Sequence, residues 1–493
     1  MERTETLTIR SLTKESATGF AWLLMQSGGA RVIGFAAQIL LARLLTPLDF
    51  GEIALVVSVS AVMATLVGFG VDDVVLSRAR KFHVWVTPAF WASLAFSLLG
   101  AVALLAVAPL AAHFCRSSEL FGLLAVLALS LPISALGNVP SAYLRTNLRF
   151  RFLAVYATVE LLAAQALTLW LAWRGFGAYS FVIPAPLGAA IRTIIVWHVA
   201  RPPQRRRLRW WPLRVLLRNG STVFGQKLVT SLRENGDYLL LGLVARKSEL
   251  GLYFMAFKLA AAPIYTLVGS MYGVLFPALA QLRAEPQRQR AAALSASRSL
   301  ALAVIPLSFL QAAVSGSLLR VFFDEKWTGA AAMLSVLTIG LAFDAIPCVA
   351  GALLTANGKF GAQWKWSLAS IPFFFLFIGI GCRLGGALGV ALGVALFFLV
   401  SAPSFSYYAL RFSGCSLRDV AGIYLPPTLC SVAAVGFGCL VARLPQVQGR
   451  DMAMMAVIGV LSLMTYGIAV RWLSPATTRE ALAKLSLLLG RAV

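Results

Sequence analysis

Acidic side chains are scarce in this chain: 19 Asp and Glu stand against 43 Lys and Arg in 493 residues, with three histidines. Charge of either sign is sparse, at 13% of residues, whereas soluble domains carry about 25%. That deficit, with 59% hydrophobic residues, excludes a soluble globular protein and leaves an integral membrane protein. The six cysteines form no CxxC pair and lie in or beside apolar runs, so neither a disulfide framework nor a metal site is expected, and no cofactor. His83, His113 and His198 each lie near a helix end, which leaves little for acid–base chemistry. No break between apolar runs exceeds roughly twenty residues, so there is no room for an extracytoplasmic catalytic domain, and an enzyme is not expected. The net charge of +24 is spread over these short breaks and forms no basic domain, so nucleic acid is not an expected partner.

What the chain has instead is long apolar runs. A helix crossing a bilayer needs about 20 mainly apolar residues, and division at charged or Pro/Gly-rich breaks gives about fourteen spans. They fall near 18–42, 51–76, 86–112, 120–142, 152–173, 176–199, 215–244, 250–277, 297–322, 329–356, 362–382, 385–410, 419–442 and 452–473. The first run is too long for a signal-peptide core and is read as a retained span. Alternate breaks hold most of the Lys and Arg, including the Arg201-Pro-Pro-Gln-Arg-Arg-Arg207 stretch, which places both termini in the cytoplasm. The tail from Pro475 to Val493 has leucines at helical spacing between Arg479, Lys484 and Arg491, the pattern of a short helix on the cytoplasmic leaflet.

A weak internal repeat divides the spans. Leu41 to Ala54 aligns with Leu241 to Phe254 at constant spacing: Asp49 faces Glu249, Phe50 faces Leu250, and Gly51 faces Gly251. An even number of helices separates the copies, so they share orientation, as in parallel-repeat transporters. The expected architecture is therefore an all-α polytopic membrane protein. It has two pseudo-symmetric six-helix lobes, 1–200 and 215–412, a basic cytoplasmic linker at 201–214, and two further helices with a tail at 413–493.

Within the spans a few charges stand where lipid would penalise them. A cation near the bilayer centre costs about 2.5–3.5 kcal/mol on insertion scales, so Arg31, Lys227, Arg233 and Lys258 are expected to face a polar cavity. Helical spacing puts Arg31 and Gln38 on one face of the first span, and Gln226, Thr230, Arg233 and Asp237 on one face of the seventh, with Lys227 and Glu234 one step round. Lys258, Tyr265 and Tyr272 form a stripe on the eighth. Together these cations suit an anionic cargo; the competing reading is that each pairs with a local acid, such as Arg233 with Glu234 or Asp237, as a packing device. Glu234, Asp237 and Asp344 are the candidates for coupling or charge pairing. Prolines 132, 184, 263, 306, 347 and 403 predict kinked helices. Gly385, Gly389 and Gly393 predict close helix approach, and Phe322 to Trp327 reads as an interfacial aromatic anchor.

The strings Leu41-Ala-Arg-Leu-Leu-Thr-Pro-Leu-Asp-Phe-Gly51, Tyr143-Leu-Arg-Thr-Asn-Leu-Arg-Phe-Arg151, Asp237-Tyr-Leu-Leu-Leu-Gly242, Glu249-Leu-Gly-Leu-Tyr253 and Glu325-Lys-Trp327 resemble the Wzx-type oligosaccharide flippases of the multidrug/oligosaccharidyl-lipid/polysaccharide (MOP) exporter superfamily. The resemblance runs from about residue 17 to 410. It implies a V-shaped transporter in a bacterial inner membrane that moves an undecaprenyl-diphosphate-linked oligosaccharide to the periplasmic leaflet by alternating access. The glycan would then pass to a polysaccharide polymerase and export machinery. In that setting Arg31, Lys227, Arg233 and Lys258 would attract the diphosphate, and Gln38, Tyr265 and Tyr272 would meet sugar; these roles follow from position and charge. Two rivals stand beside it: a drug or cation antiporter of the same superfamily, which would want an acidic cavity, and a membrane polymerase or glycosyltransferase, which would want a large outer loop.

Overall fold

The computed structural model describes residues 33–68, 82–146, 149–200, 210–444 and 450–473, and among them every regular element is a helix. Arg31, Asp72, Asp73, residues 201–209 of the basic linker and the tail from Pro475 lie outside the described residues. In chain order the helices are α1 (Ile33–Leu44), α2 (Pro47–Gly68), α3 (Phe82–Phe114), α4 (Leu120–Thr146), α5 (Phe150–Trp173) and α6 (Tyr179–Ala200). Then come α7 (Trp210–Val244), α8 (Lys247–Gln281), α9 (Pro286–Phe322), α10 (Glu325–Ala356), α11 (Phe360–Leu410), α12 (Leu417–Ala442) and α13 (Asp451–Leu473). Eleven of the described helices are long and apolar enough to cross a membrane; α7 is excluded from that set by its charges. The protein is an all-α polytopic membrane protein.

Among the described residues α11 holds two of the expected spans in one helix. Its 51 residues are interrupted by Arg383, and just after it Gly385 and Gly386 leave helical geometry, Gly386 taking a φ of 56° that a side chain would oppose. The chain folds back there. A Cβ on Gly381 would strike the backbone of Gly389, and one on Gly393 the backbone of Phe377, so the two arms touch through backbone with no room for side chains.

The repeat is visible as a local geometry. Helix α1 stops and α2 starts at Leu45–Thr46, and α7 gives way to α8 at Ala245–Arg246, two hundred residues on. Leu45 N–H donates to Leu41 O at 2.8 Å and Ala245 N–H to Leu241 O at 2.7 Å; Phe50 and Leu250 are each 1% exposed. In the first copy Thr46 and Asp49 close a reciprocal cap: Asp49 N–H donates to Thr46 Oγ1, and Thr46 N–H donates to Asp49 Oδ2 at 2.8 Å. That cap is why α2 begins at Pro47 rather than near 51, where hydropathy alone would start it.

Prolines inside the spans leave carbonyls four residues earlier without a helical donor, and in lipid such groups must be satisfied by protein. Neighbouring helices do this. Trp197 Nε1 on α6 donates to Leu136 O, freed by Pro140 of α4, at 2.8 Å. Gln311 Nε2 on α9 donates to Leu259 O, freed by Pro263 of α8, at 2.8 Å, and Tyr466 Oη on α13 donates to Leu302 O, freed by Pro306 of α9, at 3.0 Å. Kinks that weaken single helices thus join pairs of them.

The chain divides into two compact units, Met1–Asn235 and Gly236–Val493, with the border inside α7. In the first, α3 and α4 pack through Trp85, Val86, Ala89, Val139 and Ala142, while α3 turns Leu98, Leu99 and Val102 outward as a lipid-facing surface would. In the second, α12 and α13 dock on α9 through Val314, Ala442 and Ile458. Arg290 meets Asp419 at 2.9 Å near one end of α9, and Arg320 meets Asp451 at 2.7 Å near the other. One expectation is corrected. Trp327 and Phe323 are fully buried, because the 3-10 turn Glu325–Ala330, capped by Asp324, folds them into the protein; of the expected interfacial aromatics Phe322 alone is exposed.

Candidate functional site

Helix α7 carries the densest polar pattern in the described membrane helices. Gln226, Lys227, Thr230, Ser231, Glu234 and Asn235 recur at helical spacing and share one face. That face borders an open recess of about 700 Å³, whose other wall is Ala61, Ala64 and Thr65 of α2. The two alanines matter because their short side chains leave the space in front of Lys227 and Glu234 unfilled. Both charged side chains are exposed at the recess, as suits ions that face a polar cavity and not lipid.

The uncharged groups are oriented by their own helices. Thr65 Oγ1 donates to Val62 O at 2.6 Å, Thr230 Oγ1 to Gln226 O at 2.9 Å, and Asn235 Nδ2 to Ser231 O at 3.1 Å. With those donors engaged, the hydroxyl lone pairs and the Asn235 carbonyl remain as acceptors. Ser231 differs: it is 8% exposed, and its Oγ has no hydrogen-bond partner. A buried hydroxyl in that state costs about 1–3 kcal/mol, a penalty that a guest at the recess wall would remove.

The remaining sequence-predicted residues are distributed elsewhere. Arg233 is half-buried and does not line the recess. Asp237, one turn further along α7, is 2% exposed; it accepts from Tyr253 Oη at 2.6 Å and from Tyr238 N–H at 2.9 Å. Tyr238 packs edge-on against Tyr253, Phe254 and Phe257, so this carboxylate sits in a dry aromatic cluster between α7 and α8. Lys258 is half-buried with its ammonium 4.7 Å from the Phe254 ring centroid, a cation–π contact. Tyr265 is 48% exposed, Gln38 is half-buried on α1, and the Tyr272 side chain lies outside the described ones. Asp344 lies on α10 within electrostatic reach of Cys348 and Tyr424.

Sequence reasoning missed Ser231, Asn235 and Thr65. The signal for the first two was present, since Lys227, Ser231, Glu234 and Asn235 stand at i, i+4, i+7 and i+8. It also missed Glu52, which is 2% exposed and accepts from Ser117 Oγ at 2.6 Å, tying the start of α2 to the α3–α4 turn. Among the described residues no cluster of three or more His, Cys, Asp or Glu could hold a metal ion.

Known proteins give this geometry a context. A family model described as polysaccharide biosynthesis protein matches residues 40–332. The chain is similar to the succinoglycan biosynthesis transport protein ExoT of Rhizobium meliloti (strain 1021), 23% identical over 336 residues, 68% of this chain and 67% of the relative. It is also 23% identical over 436 residues to the lipopolysaccharide biosynthesis protein WzxC of Escherichia coli (strain K12), covering 86% of this chain and 88% of that one. Among solved structures, the lipid II flippase MurJ in an inward closed conformation superposes with a TM-score of 0.75 at 14% identity, over 92% of this chain and 99% of that one. The MurJ likeness establishes the fold.

Proposed function

Because the chain belongs to the polysaccharide biosynthesis protein family, within the MOP exporter superfamily, we propose that it carries an undecaprenyl-diphosphate-linked oligosaccharide from the cytoplasmic to the periplasmic leaflet of a bacterial inner membrane. The observation that carries this reading is the open recess walled by Gln226, Lys227, Thr230, Ser231, Glu234 and Asn235 of α7. Lys227 supplies a point charge for a phosphate oxygen, and Thr230, Ser231 and Asn235 offer hydrogen bonds to sugar hydroxyls. Arg31, Arg233 and Lys258 are further cations on the route, with Gln38, Tyr265 and Tyr272 as sugar contacts. Glu234, Asp237 and Asp344 remain candidates for charge pairing or coupling. No bond is made or broken in this cycle, so the protein acts as a transporter and not as an enzyme.

Transport runs by alternating access, with both termini cytoplasmic. Moving negative charge outward across an inside-negative membrane gains about 2.3 kcal/mol per charge per 100 mV, so the potential favours export of the diphosphate and draws the emptied cationic site back. The polymerase and export machinery would receive the product.

The test is flipping of a lipid-linked oligosaccharide in vesicles, with membrane potential and proton gradient collapsed separately. Lys227→Ala should lose about tenfold or more of the rate while Lys227→Arg retains most of it. A rate that Lys227→Ala leaves unchanged overturns the assignment. Glu234, in the same recess, is the feature a cation antiporter would use; cationic dye efflux that falls on deletion of this gene, with glycan transport intact, would favour that second reading.

A further inference from the structure

A second recess lies in the other compact unit, bordered by α10, the two arms of α11, and α12. It has a volume of about 720 Å³ and is walled by Phe343, Trp366, Tyr407, Tyr408, Tyr424 and Leu425, with Arg411 at its end. The aromatic wall is ordered by contact: Phe343 stacks on Tyr424 at 5.6 Å and Trp366 on Tyr408 at 5.3 Å, and Tyr424 and Ser406 share a hydrogen bond of 2.8 Å. Leu425 is 56% exposed, so the apolar length of the recess opens outward.

One lining residue, Arg411, is a cation, and Lys359, which does not line the recess, shares the Phe412 ring with it. Arg411 follows the last residue of α11, and Lys359 precedes the first, so both stand where a membrane helix meets water. The Lys359 ammonium lies 4.0 Å from the Phe412 ring centroid, and the Arg411 guanidinium lies 4.9 Å from that of Tyr408 and 5.6 Å from that of Phe412. Among the described residues neither cation has a carboxylate partner, and the acid on the adjoining turn, Asp419, is engaged by Arg290 and by Ser416. Lys365 and Arg418 neighbour lining residues Trp366 and Leu417 in sequence, as the acids Asp344 and Asp419 neighbour Phe343 and Val420, so the positive charge is local to Arg411 and Lys359. Aromatic rings hold the two cations without neutralising them, which leaves their N–H groups available to phosphate oxygens.

We propose that this recess binds an anionic diacyl phospholipid of the surrounding leaflet, its phosphate held by Arg411 and Lys359 and one acyl chain lying along Tyr424 and Leu425. The pattern of basic residues at a membrane surface beside an apolar slot matches headgroup and tail together, where a free phosphate would use only the first. The site is independent of the transport reading.

The test is native mass spectrometry of the full chain after incubation with phosphatidylglycerol or phosphatidylcholine vesicles. Phosphatidylglycerol should be retained about tenfold better, and Lys359→Gln with Arg411→Gln should erase the preference. Leu425→Trp, which fills the slot and leaves both cations, should lower phosphatidylglycerol retention, and it decides the matter if the double variant fails to fold. Equal retention of the two lipids overturns the proposal, as does displacement of phosphatidylglycerol by inorganic phosphate alone. Displacement by an equimolar polyprenyl diphosphate overturns it in favour of the carrier lipid.

Discussion

The two halves of α7 differ more than their sequences suggest. From Gln226 to Asn235 the helix turns charged and amide side chains toward open space; from Asp237 onward the same helix buries a carboxylate against Tyr253 and three more aromatic rings. Both segments place ionisable residues inside a membrane helix, and by composition both would qualify as functional. Their surroundings separate them. Lys227 and Glu234 face a cavity, whereas the Asp237 oxygens are both occupied by protein donors. A charge in a membrane helix therefore marks a candidate site only when the space in front of it is left open.

That contrast can be broken by substitution. Asp237→Ala strands the Tyr253 hydroxyl in apolar packing and should cost about 1.5–3 kcal/mol, read as a lower unfolding temperature in detergent, with Asp237→Asn less severe. Lys227→Ala, at an exposed side chain, should cost less stability than Asp237→Ala while lowering transport about tenfold. If both variants lose stability alike, the two halves are one packing unit and the distinction fails. Trp197→Phe, which returns the Leu136 carbonyl to an unsatisfied state, should cost about 1 kcal/mol by the same unfolding measurement without a change in substrate preference. The smallest effect is Ser231→Ala. Because the hydroxyl has no partner in the empty site, stability should hold or rise slightly, while transport slows a few-fold. A clear loss of stability would show that the hydroxyl already has a structural role.

The membrane spans were legible because bilayer thickness imposes a length that apolar runs must match, and the fold-back of α11 was marked by the break at Arg383 and the glycines that follow it. The repeat could be read as well, since Phe50 and Leu250 occupy equivalent buried places after equivalent breaks. Sites were less legible. The fate of Asp237 depends on Tyr253, sixteen residues on and in the next helix, and periodicity within α7 cannot reveal a partner from α8. Lys227 was visible as a misplaced charge, but the room in front of it depends on Ala61 and Ala64, which read as ordinary apolar residues. Trp327 misled for a related reason: an aromatic flanked by charges looks interfacial, and only the turn at Asp324 shows that it points inward.

On the proposed function, the α7 recess takes the phosphate of a lipid-linked glycan. Binding of a polyprenyl diphosphate to the purified full chain, compared between Lys227→Ala and Lys227→Arg, tests it most directly. About tenfold weaker binding in the alanine variant and near-native binding in the arginine variant is the predicted result; native affinity in both would contradict it.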